Sequence, residues 1–234
     1  LNYAEYVATI ANETVISATD PNFVQILPQA ITYAEQRLYR ELDLLDTVTR
    51  DAAILNVRNR NFTLPQNNGR FVVTNGLNVI TPAGTTTPDN GLRTPMLPVS
   101  RDFLDATWGS QDNAGLPTLY APITDQLFIV GPWPDLAYTI EVIGTIRPTP
   151  LSASNTSTYL TLYLPDLFVA ASMIFMAGYM RDFGSQADDP QMAQSWQGQY
   201  DKLFASANVE EQRKRYASGA WGSLSPTPIA TPSR

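Results

Sequence analysis

The sequence predicts an α+β chain in which helices from both ends pack as a bundle and a β-rich domain, sandwich- or barrel-like, is inserted between them. Apolar residues recur at helical spacing near the start and again from Leu164. From about Asp46 the period changes to alternation, and Gly, Pro, Asn and Thr punctuate the chain at short intervals. Apolar residues make up 44% and charged residues 16% of the 234, which is the profile of a folding chain.

In the first helix, expected over 2–17, Tyr3, Tyr6, Val7, Ile10 and Thr14 share one stripe. Asp20-Pro21 supplies an N-cap and a first-turn proline for a second helix over 21–44. There Pro28 restarts or kinks the helix ahead of Ile31, Ala34, Leu38, Leu42 and Leu45. Glu35, Arg37, Arg40 and Glu41 read as its wet face. Residues 46–160 form the inserted domain. Asn75-Gly76 predicts a type I′ hairpin within Arg70–Thr81, with Phe71 opposite Ile80 and Val72 opposite Val79. A second hairpin pairs Gln126–Val130 with Tyr138–Ile146 across Gly131-Pro132-Trp133-Pro134-Asp135, with Tyr138, Ile140, Val142 and Ile146 on one face. Ser100–Trp108 suits a short helix within the insertion.

The bundle resumes over 161–217. Leu164-Pro165-Asp166 starts a helix expected over 164–183, closed by Gly184, in which Phe168, Ile174, Phe175 and Tyr179 have no alternative to burial. Its apolar run, Leu167 to Met180, is too short for the roughly 20 residues of a membrane span. Asp189-Pro190 opens a last helix over 189–217 with the stripe Met192, Trp196, Tyr200, Leu203 and Ala207. Arg213, Lys214 and Arg215 lie near its C-terminus, where the helix dipole favours cations. Residues 218–234 are rich in Ser, Thr and Pro and are expected to be disordered alone. The spaced anchors Trp221, Leu224 and Ile229 mark the stretch as a docking arm for a partner surface, packing on its own domain being the alternative.

The chemistry is bounded by what is missing. Cys and His both number zero, which removes thiolate and imidazole metal sites, Cys–His nucleophiles and the Ser–His–Asp arrangement. No nucleophile elbow, P-loop or dinucleotide fingerprint occurs. The expectation is therefore no catalytic residue, no cofactor and no metal. The pairs Asp102/Asp105, Asp188/Asp189 and Glu210/Glu211 have the residue types of a glycosidase. Asp189 already reads as an N-cap, however, and Glu210 and Glu211 as a solvated helix face. A net charge of −7 argues against a surface that grips nucleic acid. Neither a disulfide framework nor a secretory signal is expected.

The order of several segments carries a resemblance. Tyr33-Ala34-Glu35-Gln36-Arg37-Leu38-Tyr39-Arg40-Glu41-Leu42 is followed by Gly115-Leu116-Pro117-Thr118-Leu119-Tyr120-Ala121. Next come Leu127 to Pro134-Asp135 leading into Tyr138–Val142, then Pro150-Leu151-Ser152 before Leu164-Pro165-Asp166-Leu167. In this order the chain resembles the head-to-tail adaptors of short-tailed bacteriophages, the podovirus family that includes tail tubular protein A. The resemblance implies a virion protein at the head-to-tail junction. It implies a homo-oligomeric ring, twelvefold in that family, between a portal protein and a tail nozzle protein, around passing DNA that is not read by sequence. Arg213, Lys214 and Arg215 are then a DNA contact, dipole-compatible surface, or a match for acidic portal side chains. The rival from another class is a glycan-binding β module, for which Trp108 and Trp133 remain as sugar platforms, since Trp196 lies on a helix stripe and Trp221 in the arm.

Overall fold

The computed structural model describes residues 1–180 and 190–219. In chain order it contains α1 (Tyr3–Thr14), α2 (Pro21–Glu41), β1 (Val48–Leu55), β2 (Asn61–Thr63), β3 (Arg70–Thr81), β4 (Leu92–Pro95), β5 (Leu97–Pro98) and α3 (Arg101–Thr107). There follow β6 (Ala114–Gly115), β7 (Leu119–Pro122), β8 (Leu127–Gly131), β9 (Trp133–Pro134), β10 (Tyr138–Arg147), α4 (Tyr159–Tyr163), α5 (Pro165–Met180) and α6 (Pro190–Gly219). The class is α+β. Two compact units result, one of Leu1–Leu45 with the chain from Pro150, the other of Asp46–Thr149. Gly184 as a cap, Asp188 and Asp189, and the arm anchors Trp221, Leu224 and Ile229 lie outside the described residues.

The helical unit follows from its caps and stripes. Asn2 caps α1 by accepting the Glu5 N–H while the Glu5 carboxylate accepts the Asn2 N–H, a reciprocal capping box. The helix stops at Thr14, short of the expected 17, because Val15 turns left-handed (φ 55°) and its N–H reaches back to Ala11 and Asn12 carbonyls. Asp20 accepts from Asn22 and Phe23 to start α2, which runs on through Pro28 without restarting. Central to the unit is α5, whose Phe168, Ala170, Ala171, Met173 and Met176 are buried. It packs on α1, α2 and α6. Tyr6 stacks on Phe168 with centroids 4.8 Å apart and shares a 2.6 Å hydrogen bond with Ser172. The burial expected for Ile174, Phe175 and Tyr179 is corrected: all three are only partly buried, and Phe175 meets the half-exposed Tyr33 at 5.4 Å. A helix apolar on every side has more apolar surface than its neighbouring helices cover.

The β unit holds two four-stranded sheets, ordered β1-β10-β3-β4 and β2-β8-β7-β5, and a two-stranded β6-β9 pair. Its core gathers Leu55, Phe62, Phe71, Leu77, Val79, Phe128, Val130, Tyr138, Ile140, Val142 and Ile146. The expected common face of Tyr138, Ile140, Val142 and Ile146 is therefore present, but both expected hairpins are absent. β3 is one continuous strand in which Gly76 pairs with Ile143 instead of turning. A strand left whole pairs with β10 along its length, whereas a turn at Asn75-Gly76 would leave two short strands paired only with each other. Phe71 thus faces Ile146 and Ile80 faces Thr139. β8 pairs with β2 and β7, while β10 belongs to the other sheet. The run between them cannot serve as a simple turn: Pro132 and Pro134 have no N–H for a ladder, and Trp133-Pro134 pairs in parallel with Ala114-Gly115. Where β10 is sandwiched between two strands, Gly144 admits the close approach of Val73, since a Cβ there would lie 2.2 Å from the Val73 carbonyl oxygen.

Candidate functional site

The acidic pairs within the described residues, Asp102/Asp105 and Glu210/Glu211, are drawn largely into ion pairs. On α3, Asp105 pairs with Arg60 and Arg101, and the hydrogen bond from Arg60 above all holds its carboxyl below the usual range. Asp102 on the same helix is exposed. Among the described residues no group of three or more carboxylates could hold a metal ion, and no helix is long and apolar enough to cross a membrane.

The end of α6 is tied to its own unit. Glu210 is exposed as expected, but Glu211, expected on the wet face, is only 3% exposed. It lies one turn beyond the buried Ala207, and its carboxylate accepts from Leu45 N–H (3.0 Å), Tyr159 hydroxyl (3.1 Å) and Lys214 Nζ (2.7 Å). Burial pushes its pKa up, but these donors outweigh burial and leave it lowered. Lys214 also pairs with Glu210 and donates to Tyr159 at 2.7 Å. Burial pulls its pKa down, but these bonds raise it on balance. Arg215 pairs with Asp43 and donates to its carbonyl at 3.0 Å. Arg213 is exposed and has no ion-pair partner among the described residues. The three cations are thus not equivalent: two lock the helix end, one is presented to solvent.

On α2 the expected wet face is likewise corrected. Glu35 is buried, and its carboxylate accepts the Leu151 N–H at 2.8 Å. Burial raises its pKa to about 7, with the Leu151 bond opposing. The signal was present in the spacing, because Ile31, Ala34, Glu35 and Leu38 fall on one helical face. The same spacing sets Glu211 in line with Tyr200 and Ala207.

Beside this face a groove of about 570 Å³ opens between α2 and α6, lined by Tyr33, Gln36, Arg37, Arg40, Glu41 and Gln197. Arg37 lies 4.0 Å from the Tyr200 ring centroid and donates from Nε to Glu41 at 3.1 Å. Both its terminal nitrogens reach the Gln197 Oε1 at 3.2 Å. The Arg40 Nη2 holds the Gln36 Oε1 at 2.8 Å. All but Gln197 lie in the Tyr33–Leu42 segment that carries the resemblance, but nothing in the sequence marked a groove there, since the groove needs α6 beside α2.

The structure does bring Trp108 and Trp133 together, but not as a sugar platform. The Trp133 Nε1–H donates to the Trp108 carbonyl at 2.7 Å, and Arg60 lies over the Trp133 ring at 5.2 Å. Trp108 packs on Leu104, Ala121 and Ile129 and meets Phe103 edge-on. Both indoles serve the packing of α3.

No curated protein matches this sequence. The family described as SU10 adaptor protein matches residues 1–226, both units included. That span agrees with the resemblance read from the ordered segments, and the chain belongs to the SU10 adaptor protein family, a family of phage head-to-tail adaptors.

Proposed function

We propose that this protein is a ring-forming subunit at the head-to-tail junction of a short-tailed phage, joining the portal protein to the tail nozzle protein around the DNA exit channel. The observation that carries the reading is the adaptor-family match over residues 1–226. The surface of the helical unit supports it. Leu162 and Tyr163 are 56% and 67% exposed, and Ile174 and Phe175 are half-buried. Neighbours in a closed, head-to-tail ring would cover such apolar area. Twelve copies is the expected stoichiometry. The net charge of −7 suits a channel past which DNA slides without being gripped or read.

Docking to the portal or to a neighbouring copy is assigned to the arm anchors Trp221, Leu224 and Ile229, together with Arg213 near the end of α6. Lys214 and Arg215 contribute by holding that helix end in place. The function is mechanical and not catalytic, and it uses no cofactor. The test is native mass together with sedimentation against purified tailless heads. The expected result is a closed ring or ring formation on portal-bearing heads. A protein that stays monomeric and leaves such heads bare would refute the reading. The glycan-binding alternative gains nothing from the Trp108–Trp133 pair, whose indoles are used internally.

A further inference from the structure

We infer that the groove between α2 and α6 seats a carboxylate side chain from the neighbouring copy. The inference rests on the ring reading above and adds one specific contact to it. Its ground is the way two arginines spend their donors. Arg37 meets the Glu41 carboxylate with Nε alone, while its terminal fork reaches only neutral oxygens, the Gln197 amide at 3.2 Å and the Tyr33 hydroxyl at 3.4 Å. Arg40, one helical turn on, holds only the neutral amide oxygen of Gln36 and has no ion-pair partner among the described residues. Charge-assisted bonds to a carboxylate are roughly twice as strong as bonds to a neutral acceptor, and the planar guanidinium fork matches a carboxylate's two oxygens. Two cations against the one Glu41 carboxylate therefore leave the groove net positive, with neutral oxygens in the places an incoming carboxylate would take.

Local packing does not account for this arrangement. Stacking on Tyr200 explains the Arg37 plane, but not the use of its fork, and Arg40 makes no ring contact in the described structure. Gln197 also donates its amide nitrogen to Asp201 at 2.7 Å, so displacing its oxygen leaves the side chain a partner. The roughly 570 Å³ groove has room for a side chain delivered on a peptide segment.

Charge complementarity points to a second copy. The chain carries 22 acidic against 15 basic residues. Exposed Glu13, Asp46 and Asp102 have no ion-pair partner among the described residues. In a head-to-tail ring two different surfaces of the same chain meet, so a cationic groove on one copy and an acid on the next are compatible.

The experiment measures native mass against protein concentration for the full chain, Arg40→Glu and Gln197→Ala, at about 50 mM and about 500 mM salt, where screening differs strongly. Arg40→Glu is expected to raise the half-assembly concentration about tenfold or more. High salt should weaken the parent in the same direction and the Arg40→Glu variant much less. Gln197→Ala, which frees the Arg37 fork, should tighten assembly. Both variants should melt with the parent, because neither side chain is in the core. Rings that form equally well with Arg40→Glu overturn the carboxylate seat and leave the ring reading standing. Loss of binding to tailless heads with unchanged assembly overturns it in favour of a different partner protein. A parent that never assembles, free or on heads, overturns both.

Discussion

Replacing Glu35 by Gln should stabilise the helical unit in alkaline solution and do nothing in acid. The carboxyl is buried and its pKa is raised to about 7 from 4.5. Because the folded value lies above the unfolded one, the stability linked to Glu35 is fully present below about pH 4.5 and is lost as pH rises through about 7. The charged form is what the core disfavours. At about 1.4 kcal/mol per pH unit, the shift amounts to about 3 kcal/mol between acid and about pH 8. Glutamine keeps an oxygen for the Leu151 N–H, now held at 2.8 Å, and carries no charge to bury. Urea unfolding followed by helical circular dichroism at about pH 4, 5, 6, 7 and 8 reads the difference directly. Glu35→Gln should exceed the parent by up to about 3 kcal/mol at the top of that range and match it at the bottom. Glu35→Ala separates charge from hydrogen bonding, since it leaves the Leu151 N–H without its acceptor and forfeits about 1–3 kcal/mol of the gain. A parent-to-Gln difference that stays flat from about pH 5 to 8 would refute the argument that burial of the charge governs this site.

Phe168→Ala should cost about 3–5 kcal/mol, whereas Phe175→Ala, half-buried in the single chain, should cost about 1–2 kcal/mol; melts of the two variants under conditions where the parent is monomeric rank them. Gly144→Ala should destabilise the β unit by about 2 kcal/mol or more, because its Cβ would overlap the Val73 carbonyl, and an unchanged β-unit transition would show that the strands can part without penalty. Removing residues 218–234 should leave the helical unit's melt unchanged while weakening attachment to portal-bearing heads in sedimentation. An early melt would assign the arm to its own fold. Purified protein should show no turnover of polysaccharide or ester; turnover abolished by changing a single Asp or Glu would overturn the mechanical reading.

Much of the helical unit was legible because helical spacing is local. The stripes Tyr6-Ile10-Thr14 and Ile31-Ala34-Leu38 and the cap at Asp20 each act within a turn or two, and the structure uses them. The ordered segments from Tyr33 to Leu167 carried the adaptor resemblance in the same way, as a sequence of short local features. Glu35 and Glu211 were legible in principle: each sits on the apolar face of its helix, and only the habit of reading a carboxylate as solvated hid them. Neither spacing nor composition revealed which backbone amide each carboxylate serves. Leu151 lies 116 residues from Glu35, and Leu45 lies 166 from Glu211.

The sheets mark the other limit. Alternation correctly placed Tyr138, Ile140, Val142 and Ile146 on one buried face, since side-chain direction in a strand depends only on the strand itself. It could not choose their neighbours. Asn75-Gly76 is a strong turn signal, yet β10 offers β3 a longer ladder, and Gly76 stays extended within it. Likewise Gln126–Val130 joins β2 and β7 instead of the strand that follows it. The sequence by itself determined the class, the helices and the inward faces, because propensity and periodicity act over a few residues. Tertiary structure alone decided strand partners, the buried carboxylates' amides and the Arg37–Arg40 groove, because each compares contacts between segments far apart in the chain.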